Sequence, residues 1–186
     1  DNVWETQPAP PQTPVYLYPE AIAGRSHSDK RSIVADTITE EGGYAFVMTS
    51  IESVAWLLNI RGNDVKNIPV SLSYLVIDHT GQVDWFIDPV KITDPIEKAL
   101  QPDITIHDIA DMEVCLNALA QKAKETGKPV LTDKDRTQTW FKTVLEKAGA
   151  EVRSIEDPCL MPRACKTPSE QAAIRETHIK DGVAIV

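Results

Sequence analysis

The stretch that decides the fold is MEVCLNALAQKAKETGKPVL, residues 112–131. Residues 112–126 suit a helix, because their apolar side chains recur at a helical spacing. Gly127 then supplies the left-handed backbone conformation that commonly ends a helix. The apolar pair Val130-Leu131 follows a proline and begins a short strand. The stretch therefore predicts a helix, a glycine stop and a buried strand.

The same order of features occurs twice more. Residues 30–41 are helical in character, a glycine pair follows, and residues 44–48 form an apolar run. Residues 140–148 repeat the helix, with Gly149 before the short strand 150–152. Helices that alternate with short apolar strands are typical of an α/β domain whose sheet is largely buried.

Two runs rich in β-forming residues, 71–77 and 83–87, lie between the first and second of these units. The loop between them, residues 78–82, contains Gly81 and indicates an antiparallel β-hairpin. We therefore predict an α/β fold whose sheet is mixed, mostly parallel with one antiparallel hairpin, and flanked by helices.

The composition places the chain among ordinary folded proteins. Of its 186 residues 42% are hydrophobic and 25% are charged, which is enough apolar material for a sizeable core. The net charge of −9 argues against a nucleic-acid partner, because nucleic-acid-binding proteins normally present a basic face. No run approaches the roughly 18 consecutive apolar residues of a membrane span. We expect neither nucleic acid nor membrane as a partner.

The three cysteines indicate the compartment. Cys115, Cys159 and Cys165 form no CxxC pair and are odd in number, which favours free thiols in a reducing environment. The first five residues, Asp1 to Glu5, have neither the basic head nor the apolar run of a secretory signal. Both observations predict a cytoplasmic protein.

The amino-terminal part of the sequence differs from its centre. Residues 7–14 hold four prolines in eight positions, and proline favours an extended or polyproline-like chain. We therefore expect residues 1–24 to be an interdomain linker and residues 25–165 to form the α/β domain.

A separate helix is expected at residues 166–186. Thr167 suits the cap, Pro168 suits the first turn, and Glu170 completes a capping box. Four apolar side chains then fall on roughly one helical face: Ala172, Ile179, Val183 and Val186. Because an apolar stripe must be buried, we expect this helix to be the first of a truncated further domain that holds its partner surface.

Two polar clusters follow predicted strands. His107, Asp108 and Asp111 could supply metal ligands, but acids in a first helical turn also cap the helix and complement its dipole. Thr132 and Asp133 occupy the corresponding loop of the next unit, where α/β sheets often bind ligands. Capping is the favoured interpretation of both clusters, so we expect no metal site and no catalytic residue in this chain.

One segment carries a candidate binding loop. In SVAWLLNIRGNDV, residues 53–65, an apolar run ends abruptly at Asn59, Arg61 and Gly62. Gly62 permits backbone conformations that other residues avoid, and the planar guanidinium of Arg61 offers a fork for a carboxylate. A core helix before a polar loop with one structural ion pair explains the pattern as well as a loop that faces a pocket.

At this segment the chain resembles the three-domain Xaa-Pro aminopeptidases, also called aminopeptidase P. Three sets of residues carry the resemblance, and they follow the family's order along almost the whole chain. They are residues 52–64 with Pro69-Val70 and Ser73-Tyr74 (middle domain), residues 8–11 and 23–26 with Lys30 (entry into that domain), and residues 166–170 with 178–182 (first helix of the catalytic domain).

The resemblance implies a creatinase amino-terminal-domain-like α/β fold with a ribonuclease H-like motif. It also implies a parent hydrolase, a metallopeptidase that removes the amino-terminal residue preceding proline. In that family two divalent metal ions, usually manganese, are held by Asp, Asp, His, Glu and Glu in a carboxyl-terminal pita-bread domain. None of those ligands is carried over, so no cofactor is expected in this fragment, which should be inactive alone. Only Asn59, Arg61 and Gly62 are carried over, as a loop near the substrate cleft.

Two functions from different classes fit the sequence, and a third possibility is hydrolysis by the fragment itself through His107, Asp108 and Asp111, for which we expect no stoichiometric metal. The first is the non-catalytic middle domain of such a peptidase, which helps to shape substrate access and subunit contacts. Its partners would be the catalytic domain of the same chain and a peptide with proline at the second position, and a homodimer is an open alternative for the last helix. The second is a free-standing α/β ligand-binding or interaction domain without peptidase activity.

Overall fold

The computed structural model describes residues 6–185. The helices in this range are α1 Glu20–Ala23, α2 His27–Glu40, α3 Ile51–Leu57, α4 Asp94–Leu100, α5 Met112–Thr126, α6 Thr139–Lys147, α7 Leu160–Ala164 and α8 Pro168–Ile185, with short 3-10 helices at Pro89–Lys91 and Ile109–Asp111. The strands are β1 Tyr16–Leu17, β2 Ala45–Met48, β3 Ile60–Arg61, β4 Tyr74–Asp78, β5 Val83–Phe86, β6 Ile104–His107, β7 Val130–Asp133 and β8 Val152–Ile155. The expectation about a secretory signal at Asp1 to Glu5 lies outside the described residues.

Six strands form one sheet in the order β6-β5-β4-β2-β7-β8. Parallel pairs join β2 to β7, β7 to β8 and β5 to β6, whereas β4 is antiparallel to both of its neighbours. Five strands of this sheet therefore share one direction and β4 is reversed. The predicted mixed α/β sheet, mostly parallel with one hairpin, is confirmed. The structure adds that the first hairpin strand inserts beside β2, in the middle of the sheet.

The hairpin turns where the sequence places its loop. Gly81 has a φ of 85°, a conformation that favours glycine. Asp78 Oδ1 accepts hydrogen bonds from the backbone N–H groups of Thr80 at 2.8 Å and Gln82 at 3.1 Å. The aspartate thereby satisfies the backbone of the turn that joins β4 to β5.

The sheet carries a helical layer on each face. Helices α2, α3 and α4 contribute to the core on one face, and α5 and α6 to the core on the other. Within β2, Phe46 and Met48 belong to the first core, and Ala45 and Val47 belong to the second. Successive strand residues point to opposite faces, so β2 is buried on both.

Glycines end the helices as predicted. Gly127 follows α5 with a φ of 67°, and Gly149 follows α6 with a φ of 93°. The N–H of Ala150 donates to the carbonyl of Leu145 at 3.0 Å and closes the end of α6. Because this bond occupies Ala150, β8 begins at Val152 rather than at residue 150.

A buried carboxylate holds the loop before β4. Asp64 Oδ2 accepts hydrogen bonds from the Ser71 hydroxyl at 2.8 Å, the Leu72 N–H at 2.7 Å and the Lys91 ammonium at 2.6 Å. The side chains of Lys91 and Asp64 are 3% and 0% exposed. These bonds fix the chain in a loop, so β4 begins at Tyr74 rather than at residue 71.

The amino-terminal segment contacts the domain. Strand β1 pairs antiparallel with β3, and Val15 is buried with its N–H donating to the carbonyl of Lys91 at 3.0 Å. Both features fall within the range expected to be a linker, residues 1–24. The division into 1–24, 25–165 and 166–186 stays a prediction.

Helix α8 begins with the predicted capping box. The N–H of Glu170 donates to Thr167 Oγ1 at 3.2 Å, and the N–H of Thr167 donates to Glu170 Oε2 at 2.8 Å. The Thr167 hydroxyl also donates to the carbonyl of Ala23 at 3.2 Å. This bond ties the start of α8 to α1.

The apolar side chains of α8 are exposed. Ile179 is 68% exposed and Val183 is 74% exposed. Val186, the last member of the predicted stripe, lies outside the described residues. Among the helices of residues 6–185, none combines the length and the apolar character that a membrane crossing requires.

Candidate functional site: the cleft beside Arg61

The candidate loop is held at the corner between α3 and β3. Helix α3 ends at Leu57, and Asn59 has a φ of 51°, a left-handed conformation that asparagine adopts more readily than most residues. Asn59 Oδ1 accepts a hydrogen bond from Lys30 Nζ at 2.5 Å, and Asn59 Nδ2 donates to the carbonyl of Arg25 at 2.8 Å. The asparagine is 6% exposed, so its side chain fixes the corner from the interior.

The Arg61 guanidinium is fixed against the wall of the domain. Nη1 donates to the carbonyls of Ala55 at 3.2 Å and Ile60 at 2.8 Å. The guanidinium carbon lies 3.9 Å from the centre of the Tyr18 ring, a stacking distance for a cation–π contact. Burial lowers the pKa of Arg61 from its ordinary value. The side chain is therefore oriented, and it is partly withdrawn from solvent.

Arg61 lines two adjoining cavities of about 330 and 240 Å³. Lys166, just before α8, and Glu170, in the first turn of α8, line both of them as well. The larger cavity is completed by Tyr18 on the domain side and by His178 on α8. Together these cavities form a cleft between the domain and α8, which we call the Arg61 cleft.

The other two candidate residues, Asn59 and Gly62, determine the path of the backbone. A Cβ on Gly62 would lie 2.8 Å from Ser71 Cβ and 3.0 Å from the carbonyl oxygen of Val70. Gly62 is therefore required by the close approach of a neighbouring segment, and Asn59 by its corner. Of the three candidates, Arg61 is the one that lines the Arg61 cleft, and its contact with a substrate stays a prediction.

Lys30 supports this site and was missed in the sequence. It is 2% exposed, its Nζ donates to the carbonyl of Trp56 at 2.9 Å, and it lies 4.5 Å from the Trp56 ring centre. Burial lowers its pKa from 10.5 to about 8. A signal was available, because Lys30, Val34 and Ile38 recur at a spacing of four and share the buried face of α2.

The polar cluster after β6 divides among separate roles. Asp108 Oδ1 accepts from the N–H of Ala110 at 2.9 Å and caps the short helix that follows, as the capping interpretation predicts. His107 Nε2 lies 2.7 Å from Asp84 Oδ1 on the neighbouring strand, and its ring stacks on Phe86 with centroids 5.0 Å apart. Within residues 6–185, no three His, Cys, Asp or Glu side chains are grouped so that they could hold a metal ion.

The second polar cluster closes its own loop. Asp133 Oδ1 accepts from the N–H groups of Asp135 at 2.7 Å and Arg136 at 3.1 Å. The N–H of Asp133 donates to Thr137 Oγ1 at 2.9 Å. The Asp133 carboxylate therefore satisfies backbone groups of the loop between β7 and α6, whereas α6 itself begins after Gln138.

These features define an α/β domain whose candidate site is a polar cleft at its side. The chain belongs to the creatinase/prolidase amino-terminal domain family, because the sequence model described as "Creatinase/Prolidase N-terminal domain" matches residues 6–170. The match covers the whole sheet together with the start of α8.

Curated relatives match this chain from end to end. A protein of Aspergillus clavatus described as "Probable Xaa-Pro aminopeptidase P" is 29% identical over 192 aligned positions, covering 100% of this chain and 29% of the relative. A protein of Aspergillus niger with the same description is also 29% identical over 192 positions, covering 100% of this chain and 31% of the relative. The chain thus spans less than a third of the length of these relatives.

Solved structures share the fold. The X-prolyl aminopeptidase of Caenorhabditis elegans, described as a cytosolic enzyme with a di-nuclear active site, superposes with a TM-score of 0.87 at 21% identity, covering 99% of this chain and 30% of that chain. The Xaa-Pro dipeptidase of Bacillus anthracis gives a TM-score of 0.57 at 16% identity, covering 87% of this chain and 44% of that chain. The predicted creatinase amino-terminal-like fold is confirmed.

Proposed function

We propose that this chain is the non-catalytic middle domain of an Xaa-Pro aminopeptidase whose full-length form removes the amino-terminal residue that precedes proline. The end-to-end match to longer relatives described as Xaa-Pro aminopeptidase P carries the proposal. The parent is a cytoplasmic hydrolase, in line with three free cysteines and with the cytosolic C. elegans structure.

The proposal assigns the chemistry to another part of the parent. Two divalent metal ions, for which manganese is the expected metal, would activate water for attack on the peptide carbonyl. The residues described here do not fit such a centre. The best-placed group, His107 with Asp84, consists of two side chains already bonded to each other, and Cys115 lies 4.0 Å from the other ring nitrogen of His107. No step of the reaction is therefore assigned to this domain.

The proposed role of the domain is to shape substrate access and subunit contacts. Arg61 and α8 form the two walls of the Arg61 cleft, and α8 carries the exposed side chains Ile179 and Val183. Burying those side chains against the catalytic domain would place the Arg61 cleft beside the boundary between the two domains. A peptide with proline at its second position would then reach the active site past Arg61.

The first experiment compares this chain with the longer protein from the same reading frame. Both are incubated with manganese and a tripeptide that has proline at the second position, and release of the first residue is measured. We expect turnover by the longer protein, none by the 186-residue chain, and none on the same tripeptide with alanine replacing proline. A longer protein that does not cleave the proline peptide, or a reading frame without further domains, would favour the free-standing interaction domain instead.

The second experiment tests the role of Arg61 in the longer protein. Arg61→Ala is expected to raise KM, because the variant loses an oriented cation at the substrate entrance. Arg153→Ala is the matched control, since Arg153 is an exposed arginine that pairs with Glu41 on the surface. Kinetic constants that are the same in both variants would remove Arg61 from the proposal.

A further inference from the structure

Two cations beside the Arg61 cleft, Arg61 and Lys30, make no direct ion pair within the described part of the chain. Across residues 6–185, no Asp or Glu forms an ion pair with Arg61 or with Lys30. Lys30 Nζ is bonded to neutral oxygens, the Trp56 carbonyl and Asn59 Oδ1. Withdrawing a cation from water without an opposite charge is unfavourable, so this wall would be stabilised by an anion.

Two acids line the Arg61 cleft, and both already accept hydrogen bonds. Glu52, in the smaller cavity, accepts the Ser50 hydroxyl on Oε2 at 3.1 Å. Glu170 Oε2 accepts the N–H of Thr167 at 2.8 Å as part of the capping box that starts α8. This bond directs the carboxylate to its own helix terminus rather than to Arg61.

The Glu170 charge still acts on both cations from a distance, because it raises the pKa of Lys30 and of Arg61 and so partly offsets the lowering by burial. Neither cation has a direct ion pair with an acid among residues 6–185.

The guanidinium of Arg61 is fixed in place by contacts that use only some of its N–H groups. Tyr18 fixes its plane, and Nη1 provides both of its hydrogen bonds to backbone carbonyls. In the described part of the chain, Nη2 and Nε donate to no protein acceptor. A fixed guanidinium edge matches the two oxygens of a carboxylate, which is the bidentate geometry that arginine favours.

The opposite wall and the volume suit a small anionic ligand. Lys166 adds a cation that lines both cavities, and its Nζ also donates to the carbonyl of Arg163 at 2.5 Å. Ile174 of α8, 41% exposed, adds an apolar contact. The larger cavity, of about 330 Å³, is open to solvent and falls within the range of small-molecule sites.

We propose that the Arg61 cleft is a carboxylate-binding site in which Arg61 is the principal ligand-binding residue and Lys166 a supporting cation. The carboxylate comes either from the free end of a short peptide or from an acidic side chain elsewhere in a longer protein. This site deepens the proposed function and rests on it for the peptide source, but binding itself does not depend on peptidase activity.

The binding test uses the 186-residue chain and two matched probes, acetate and its neutral isostere acetamide. Arginine Nε–H resonances are followed by NMR at low ionic strength, where exposed charges are least screened. We expect saturable shifts of Arg61 with acetate, none with acetamide, and little change at Arg153. Equal responses to the two probes, or equal responses of the two arginines, would overturn the proposal.

Variants then test the fork geometry. Arg61→Gln is expected to weaken acetate binding about tenfold, as loss of a charge-assisted hydrogen bond implies. Arg61→Lys keeps the charge and should bind with intermediate affinity, and Arg153→Gln should bind like the parent chain. Circular dichroism checks that each variant is folded, and the acetate–acetamide comparison on the unmodified chain stands if a variant unfolds. Unweakened binding by folded Arg61→Gln would overturn the assignment of Arg61.

Two arms on the longer protein separate the sources. A peptide source predicts a lower KM for a proline tripeptide with a free carboxylate than for its amide, and Arg61→Gln should abolish that difference. An internal acidic side chain predicts no such difference and loss of the acetate response in the longer protein. If the longer protein shows no preference between the peptides and still binds acetate at Arg61, both sources are wrong and the proposal fails. The failure of this proposal can be distinguished from the failure of the proposed function. If acetate does not bind, the carboxylate site is wrong but the proposed function is unaffected. If the longer protein is inactive, the proposed function is wrong but the acetate result is unaffected.

Discussion

The ammonium group of Lys30 donates a hydrogen bond to the side-chain oxygen of Asn59 at 2.5 Å, across 29 residues of sequence. The same ammonium binds the carbonyl of Trp56 at 2.9 Å. One buried cation therefore holds both the end of α3 and the left-handed corner after it. Arg61 follows two residues later, so the position of its guanidinium depends on this interior contact.

We expect Asn59→Ala to reduce the free energy of unfolding by about 2 kcal/mol more than Asn67→Ala, because only the first removes one of the two hydrogen-bond acceptors of the buried Lys30 ammonium. Asn67 is a matched control, since it also has a positive φ, 65°, but is exposed. Urea denaturation of the two variants measures the difference. Equal losses would mean that the left-handed backbone, and not the Lys30 bond, accounts for the effect.

Stability should rise with pH through the titration of Lys30. Its pKa is lowered to about 8 in the folded state against 10.5 for the ordinary group, so the unfolded state binds more protons between these values. The free energy of unfolding should therefore increase across this window relative to Lys30→Met, by at most about 3 kcal/mol. Exposed Lys122 provides the control, because Lys122→Met should keep the pH dependence of the parent chain. A constant difference between parent and Lys30→Met from pH 7 to 11 would contradict the buried charge.

Gly62→Ala is expected to destabilise the chain by about 1–3 kcal/mol, since the added Cβ would meet Ser71 and the Val70 carbonyl and force the segments apart. Gly182 offers the opposite case within α8. A Cβ there would meet nothing within 4 Å, and alanine favours helix by up to about 1 kcal/mol. Thermal unfolding should therefore shift in opposite directions for the two substitutions, and a shift in the same direction would refute the packing role of Gly62.

The buried pair Lys91–Asp64 should matter far more than the exposed pair Lys180–Glu176. Lys91→Met leaves the Asp64 carboxylate buried without its cation and should cost about 3–5 kcal/mol. Lys180→Met removes an ion pair whose side chains are 74% and 69% exposed, and because solvent screens such a pair its loss should hardly change the stability. Chemical denaturation of both variants tests this order, and comparable losses would contradict it.

The three thiols should react in an order set by exposure. Cys165 is exposed and should react first with a thiol reagent such as DTNB. Burial raises the pKa of Cys115 and raises that of Cys159 well above its ordinary value, so Cys115 should react slowly and Cys159 only on unfolding. Cys165→Ser should remove the fast phase, and a fast phase that persists in that variant would contradict the order.

Much of the fold could be predicted because its signals are local. Gly127 and Gly149 end helices through their own backbone conformation, and Gly81 closes a hairpin between adjacent strands. The capping box of Thr167 and Glu170 joins residues three apart. The start of α2 was predicted too late, although Ser26 and Asp29 form a capping box of the same kind.

The candidate site stays a prediction. An abrupt change from apolar to polar side chains marks the end of a buried segment, and it singles out Arg61, which lines the Arg61 cleft in the structure. Asn59 and Gly62 belong to the same predicted loop, since sequence alone does not show whether a polar loop residue faces outward or holds its own backbone. In the structure, Asn59 fixes the corner after α3 and Gly62 permits the close approach of residues 70–71.

The sequence by itself determined the alternation of helices and strands, the glycine stops and the hairpin, because each depends on backbone preferences within a few residues. Tertiary structure alone decided that β4 inserts between β2 and β5, that Lys30 binds Asn59, and that Ser53 binds Asp157 across 104 residues. These contacts join segments far apart in the chain, and they form only once the two cores have packed against the sheet. The Arg61 cleft is the product of both, a locally encoded polar loop brought against a helix that begins more than a hundred residues later.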